Sequence, residues 1–147
     1  MQYTISKEFS CDAAHRLHLM EQTHCCRNIH GHTYNISVVI STRKLDDKGM
    51  VIDFRKLDVV KKYVDEKFDH TLLISQGDKE LIEIAEKLNT RHTVLPVLQT
   101  TCEEMGKYLY TRFFEQFQDL IPGFEYNYKL CVTISETPKT KSITQNK

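Results

Sequence analysis

His30-Gly31-His32-Thr33-Tyr34-Asn35-Ile36-Ser37-Val38-Val39-Ile40-Ser41 alternates over its second half. Tyr34, Ile36, Val38 and Ile40 fall on one face and Asn35, Ser37 and Ser41 on the other, the period-two pattern of a half-buried strand. On that extended backbone His30 and His32, two residues apart, project from the same face, and Gly31 leaves room for a group to approach between them. His-x-His alone is most often an ordinary strand entrance, with one exposed and one core histidine. Two neighbours change that reading: the upstream Ala13-Ala14-His15 and the thiols Cys25 and Cys26. Together they make a candidate three-histidine metal site, His15, His30 and His32, with sulfur nearby. Neutral imidazoles suit zinc, and catalytic zinc keeps three protein ligands and an open position. Three neutral ligands also leave the ion's charge intact, which makes it a strong Lewis acid toward a carbonyl or hydroxyl oxygen.

Outward from this stretch, Tyr3, Ile5 and Phe9 alternate with Thr4, Ser6 and Glu8, so a first strand precedes the histidine region. A charged turn from Lys44 to Lys48 ends at Gly49. Asp53 then caps a helix whose Phe54, Leu57, Val60, Val64 and Phe68 recur at helical spacing. A weaker helix is expected over Glu80 to Leu88, before an apolar piece, Thr93 to Leu98, of undecided state. Thr101 and Glu104 match a capping box, followed by a helix carrying Met105, Tyr108, Leu109, Phe113 and Phe117 on one side. Ile121-Pro122-Gly123 breaks it. Tyr128, Leu130, Val132 and Ile134 then alternate with Lys129, Cys131, Thr133 and Ser135 as a last strand, and the tail Lys139 to Lys147 is polar, with its end expected to be loose. The order predicts an α+β fold: antiparallel strands with helices on one face, in a single domain over residues 1–147.

The chain has 147 residues, with 20 Lys plus Arg against 20 Asp plus Glu. That balance favours neither nucleic acid nor an anionic membrane. No apolar run has the length of a membrane span and the N-terminus lacks a signal-peptide pattern, so the expected location is cytoplasmic. Five cysteines without a repeated Cys-x-x-Cys spacing read as thiols, not as a disulfide framework or zinc ribbon. Cys11 and Cys131, in strand patterns, read as packing residues. His18, His24 and His92 read as surface residues. By chemistry alone Cys25 and Cys26 are equal candidates for a proton-transfer thiol beside the metal.

Six motifs carry a family resemblance: Phe9 with Ala13-Ala14-His15-Arg16-Leu17; Cys26-Arg27-Asn28-Ile29-His30-Gly31-His32-Thr33-Tyr34; Gly49-Met50-Val51-Ile52-Asp53-Phe54; Phe68-Asp69-His70; Thr101-Cys102-Glu103; and Ser135-Glu136-Thr137. In this order the chain resembles the 6-pyruvoyl-tetrahydropterin synthase family from residue 3 to about 137. A cysteine four positions before His30 is similar to the bacterial 6-carboxy-5,6,7,8-tetrahydropterin synthase branch, which serves queuosine and other deazapurines. The resemblance implies the tunnelling fold (T-fold), with a barrel made by oligomerisation, commonly a hexamer built from two trimers with sites at subunit interfaces. It implies zinc on His15, His30 and His32, proton transfer by Cys26, and a second catalytic pair in Asp69 and His70. It also implies a pterin anchored by Glu136, with Thr101 and Glu103 in the pocket. The implied substrate is 7,8-dihydroneopterin triphosphate, giving 6-carboxytetrahydropterin, acetaldehyde and triphosphate. In that setting the positive field of the metal-bound imidazoles should lower the Cys26 pKa from ~8.5 toward neutrality.

Set against the resemblance are plainer readings. Asp69-His70 suits a helix C-terminus, Glu136 a charged strand end, and Glu103 a first-turn acid. The chain also lacks the family's usual Asn-Pro before Thr101 and its tyrosine after the Glu-Thr pair. Two alternatives follow: a pyruvoyl-type triphosphate lyase on the same scaffold, or a non-catalytic zinc-stabilised pterin-binding module. Arg16, Arg27, Lys139 and Lys141 are candidate triphosphate cations, and none is assigned.

Overall fold

The computed structural model describes residues 1–146. Two long strands, β1 (Tyr3–His15) and β2 (His30–Thr42), form its spine. They pair antiparallel in a register that sets Tyr3 opposite Thr42 at one end and His15 opposite His30 at the other. After β2 comes a 3-10 turn (Phe54–Leu57) that runs into α1 (Asp58–Lys67), capped by the Asp53 side chain accepting from the Arg55 N–H. β3 (Thr71–Ser75), α2 (Lys79–Lys87) and β4 (His92–Leu95) follow, then α3 (Cys102–Leu120), a short α4 (Phe124–Asn127), β5 (Tyr128–Thr137) and β6 (Thr140–Gln145). The sheet order is β4-β3-β1-β2-β5-β6.

The α+β class holds, but the sheet is mixed, not wholly antiparallel: β3 runs parallel to both β1 and β4. The reason lies in the stretch 75–98. α2 carries the chain back along the sheet between β3 and β4, and a crossover helix returns the next strand in the same direction. Asp78 starts α2 by accepting from the Leu81 N–H, so the helix opens one residue before its expected start. The piece of undecided state, Thr93 to Leu98, contributes its first half to β4.

The tail adds an element that the sequence pattern did not predict. Residues 140–145 are a paired edge strand, β6, held against β5 and packed under α3. Gly106 permits that packing: a Cβ there would stand 3.0 Å from Thr144 Oγ1 and 3.4 Å from an Ile134 methyl. The helix therefore approaches the sheet more closely than a side chain allows. At the far end of α3, where Ile121-Pro122-Gly123 breaks the helix as expected, Gly123 takes φ +71°, a left-handed conformation. Lys147 lies outside the described residues.

α3 packs on β5 and β6, α1 on β1, and α2 on β3. Tyr34, Ile36, Val38 and Ile40 are fully buried beneath them with Leu109, Phe113 and Phe117. The opposite face of β1 exposes Thr4, Ser6, Glu8, Ser10 and Asp12. Thr101 caps α3 by accepting from the Glu104 N–H, but the Glu104 carboxylate accepts from Leu98 N instead of completing the capping box. Among the described residues no helix is long and apolar enough to cross a membrane.

Candidate functional site

The β1–β2 register builds the histidine cluster. His15 lies directly across from His30, and His32 lies across from Ala13, whose small side chain leaves space on the shared face. The three ring centroids are 4.7 to 5.2 Å apart, and one ligand atom from each histidine lies within 4.8 Å of the others. Tyr34, two residues on from His32, forms the floor, with its ring 5.9 Å from His15 and 5.6 Å from His32.

Hydrogen bonds determine which nitrogen of each ring is free. His15 Nδ1 donates to the Thr100 carbonyl at 2.9 Å, and His30 Nδ1 donates to the Asn28 carbonyl at 2.6 Å. Both Nε2 lone pairs are left for the cluster. His15 is 1% exposed, and its Nε2 is buried without any hydrogen-bond partner. An orphaned acceptor at that depth is costly unless something outside the chain satisfies it. Three neutral imidazole nitrogens, two of them oriented by backbone carbonyls, are a donor set that fits a divalent cation. Burial pushes the His15 pKa down to about 4, against the opposing Thr100 carbonyl bond and with help from His30 and His32. The ring therefore stays neutral and able to ligate at ordinary pH.

The Glu136 carboxylate faces the cluster, 3.7 Å from His15 Nε2 and 3.9 Å from His32 Nε2. At Cys102, the first residue of α3, burial followed by the Glu136 charge pushes the thiol up to about 12. It remains protonated. Cys26 sits in a 3-10 turn, Cys25–Arg27, just before β2. The chain's own groups raise its pKa: burial, the Cys25 thiol 3.9 Å away and the Glu136 charge all favour the protonated form. The expected depression would have to come from a cation's charge, because the chain's own charges act the other way.

Asp69 and His70 lie where the chain enters β3. Asp69 accepts from the Asp12 N–H at 3.0 Å and pairs with His70 Nδ1 at 3.0 Å, and the His70 N–H donates to the Asp12 carbonyl. The hydrogen bond from Asp12 N and that from His70 hold the Asp69 carboxyl below the usual range. His70 takes φ 52°, a left-handed conformation unusual for a non-glycine residue and found disproportionately at functional sites. An open groove of about 700 Å³ runs beside the pair, lined among others by Asp12, Gly31, His32, Thr33, His70 and Arg91. Gly31 is not sterically forced, since a Cβ there would find its nearest neighbour, Ala13 O, at 3.7 Å.

Thr101 is committed to its helix cap, and Glu103 is exposed on the first turn of α3. Arg16 is bound to Asp78 and Glu80, and Arg27 to the His18 and Met20 carbonyls, so both candidate anion binders are already engaged. His18, expected at the surface, is half-buried with Nδ1 unpartnered. Sequence reasoning did not single out Thr100, Cys102 or Tyr34 for the site. Tyr34 had a signal in its two-residue spacing from His32. Thr100 had none, because it acts through its backbone carbonyl.

The family model described as 6-pyruvoyl tetrahydropterin synthase matches residues 4–146. A 6-carboxy-5,6,7,8-tetrahydropterin synthase of Haemophilus influenzae is 38% identical over 117 residues, covering 75% of this chain and 81% of the relative. A protein of the same name from Rickettsia bellii is 31% identical over 129 residues, covering 87% and 92%. The crystal structure of 6-pyruvoyl tetrahydropterin synthase from Plasmodium vivax superposes with a TM-score of 0.76 at 20% identity, covering 99% of this chain and 98% of that one, a likeness of fold.

Proposed function

The chain belongs to the 6-pyruvoyl tetrahydropterin synthase family and has its T-fold, and we propose that it is a zinc-dependent 6-carboxy-5,6,7,8-tetrahydropterin synthase. In this reading it acts as one domain and converts 7,8-dihydroneopterin triphosphate to 6-carboxytetrahydropterin, acetaldehyde and triphosphate, in the cytoplasm, toward queuosine. The observation that carries the proposal is the buried, unpartnered Nε2 of His15, converging with His30 and His32. The names of the bacterial relatives support the reaction.

His15, His30 and His32 would hold the zinc, which when bound supplies a Lewis acid for the substrate's side-chain oxygens. The Thr100 and Asn28 carbonyls keep Nδ1 protonated on His15 and His30, so Nε2 is the ligating atom on both. Cys26 takes a proton from the substrate side chain and returns it, the two halves of general acid–base catalysis. Glu136 accepts the pterin's N–H donors as a charge-assisted clamp, its charge keeping the Cys102 thiol protonated, with Thr101 and Glu103 at the pocket wall. Asp69 orients His70 for the second proton transfer. Assembly into a homo-oligomer would place the Asp69–His70 groove at a subunit interface.

The decisive experiment is incubation of purified protein with dihydroneopterin triphosphate and identification of the products. Acetaldehyde with the carboxylated pterin supports the proposal. A pyruvoyl product without acetaldehyde assigns the chain to the alternative lyase. Cys26→Ala should abolish turnover with zinc content unchanged, and retained turnover would exclude the thiol mechanism.

A further inference from the structure

The turn that carries Cys26 holds a second convergence of ligand atoms, separate from the three imidazoles. His24, Cys25 and Cys26 each offer one donor atom, and the three lie within 4.8 Å of one another. Two sulfurs bound to one zinc at ~2.3 Å across a tetrahedral angle stand roughly 3.8 Å apart. The Cys25 and Cys26 sulfurs are 3.9 Å apart, whereas a disulfide needs about 2.05 Å. The spacing therefore suits a bridging cation without movement of the backbone.

The turn is also held from several sides. Arg27 N donates to the His24 carbonyl and Asn28 N to the Cys25 carbonyl, while Cys26 N donates to His24 Nδ1 at 3.1 Å, a bond that ligation by the neutral ring displaces because the imidazole has one nitrogen lone pair. The Cys26 carbonyl accepts from Leu17 N, and the Arg27 guanidinium donates to the His18 and Met20 carbonyls. Cys25 is exposed and Cys26 half-buried, so an ion can reach both sulfurs from solvent.

We propose that His24, Cys25 and Cys26 form a second cation site, selective for thiophilic divalent ions such as Zn²⁺ or Cd²⁺, whose occupation withdraws the Cys26 sulfur from the reaction. Binding releases one proton from each of the two thiols and involves no change of oxidation state. Two sulfurs and one imidazole form a softer donor set than three imidazoles, so this site and the histidine cluster discriminate differently among metals. The inhibitory consequence rests on the reading of Cys26 as the proton-transfer residue. The existence of the site does not.

The test is a Co²⁺ titration of the metal-free, fully reduced chain in a reductant that contains no thiol. Two equivalents should bind per chain, one of them accompanied by a thiolate-to-cobalt charge-transfer band. Cys25→Ser and His24→Ala should lose the band and keep one equivalent, while His30→Ala should keep the band and lose the other equivalent. Circular dichroism confirms that each variant is folded. A single equivalent without the band overturns the proposal. So does a band that survives Cys25→Ser but vanishes in Cys26→Ser, because that sulfur would then be a fourth ligand of the imidazole-bound ion. In assays of turnover, excess Zn²⁺ should inhibit the native chain and spare Cys25→Ser, and equal inhibition of both counts against the site. A chain inactive on the pterin would count against the proposed reaction alone, since the cobalt band reads the site without turnover.

Discussion

Asp78→Ala is expected to unfasten the end of β1 that carries the histidine cluster. The Asp78 carboxylate, 4% exposed, receives two charge-assisted bonds from Arg16, at 2.7 Å from Nε and 2.6 Å from Nη2, and caps α2 by accepting from Leu81 N at 3.2 Å. Truncation removes the cap, worth about 1 kcal/mol. It also leaves the Arg16 guanidinium, itself 17% exposed, with only the well-solvated Glu80. Breaking a buried pair costs about 3–5 kcal/mol, and the surviving Glu80 contact brings that down to about 2 here. The sum is about 3 kcal/mol for Asp78→Ala and about 2 for Asp78→Asn, which keeps an acceptor for Leu81. In urea denaturation with an m-value of about 1.5 kcal/mol/M, Asp78→Ala should lower the midpoint by about 2 M at unchanged m. Burial works to raise the Asp78 pKa, but the Arg16 bonds and the Leu81 N–H outweigh it and leave the pKa lowered. Its contribution is therefore present above the unfolded value of 3.8 and lost as pH falls through the folded one. Asp78→Ala should flatten the acid limb below that value. The effect reaches the site because Thr100 Oγ1 donates to the Arg16 carbonyl while the Thr100 carbonyl holds His15. Metal affinity should fall by about tenfold, as for other losses of ligand support. A midpoint shift under about 0.5 M for the alanine variant, or equal shifts for alanine and asparagine, would refute this reasoning.

His15 has a folded pKa of about 4 against the ordinary 6.5, so only the unfolded chain takes up its proton between those values. The metal-free protein should lose about 3 kcal/mol as pH falls through that window, and His15→Gln should flatten the slope in denaturant titrations run from pH 7 to pH 4. His70→Gly relieves a left-handed residue whose ring is largely exposed. It should therefore leave stability unchanged or raise it by up to about 1 kcal/mol, while turnover falls by about a hundredfold or more if the ring transfers a proton. Phe113→Ala empties a fully buried site that packs edge-on to Tyr63 at 5.9 Å. Its cost in thermal or urea unfolding should be about 3–5 kcal/mol, with no loss of bound zinc per folded chain.

Much of the fold was legible because its elements bury one face. The alternation in 34–41 and 128–135 and the helical spacing after Thr101 each correspond to an element with a dry side. What escaped was the pairing of segments. The stretch 75–98 reads locally as a helix and an apolar scrap, and its parallel course appears only when β3 is paired to both neighbours. The polar tail became β6 because the edge of β5 offers unpaired backbone groups and Gly106 lets α3 sit close, neither of which is a property of the tail itself.

The site divides the same way. Residue type and two-residue spacing sufficed to nominate His15, His30 and His32, since an extended backbone places alternate side chains on one face whatever surrounds it. The free nitrogen on His15, the neutrality of its ring and the upward shift of the Cys26 thiol were decided by partners distant in the chain, Thr100 for His15 and Glu136 for Cys26. Hydrogen bonding, burial and charge act through space, and a linear pattern records which groups are available without recording how far apart folding leaves them.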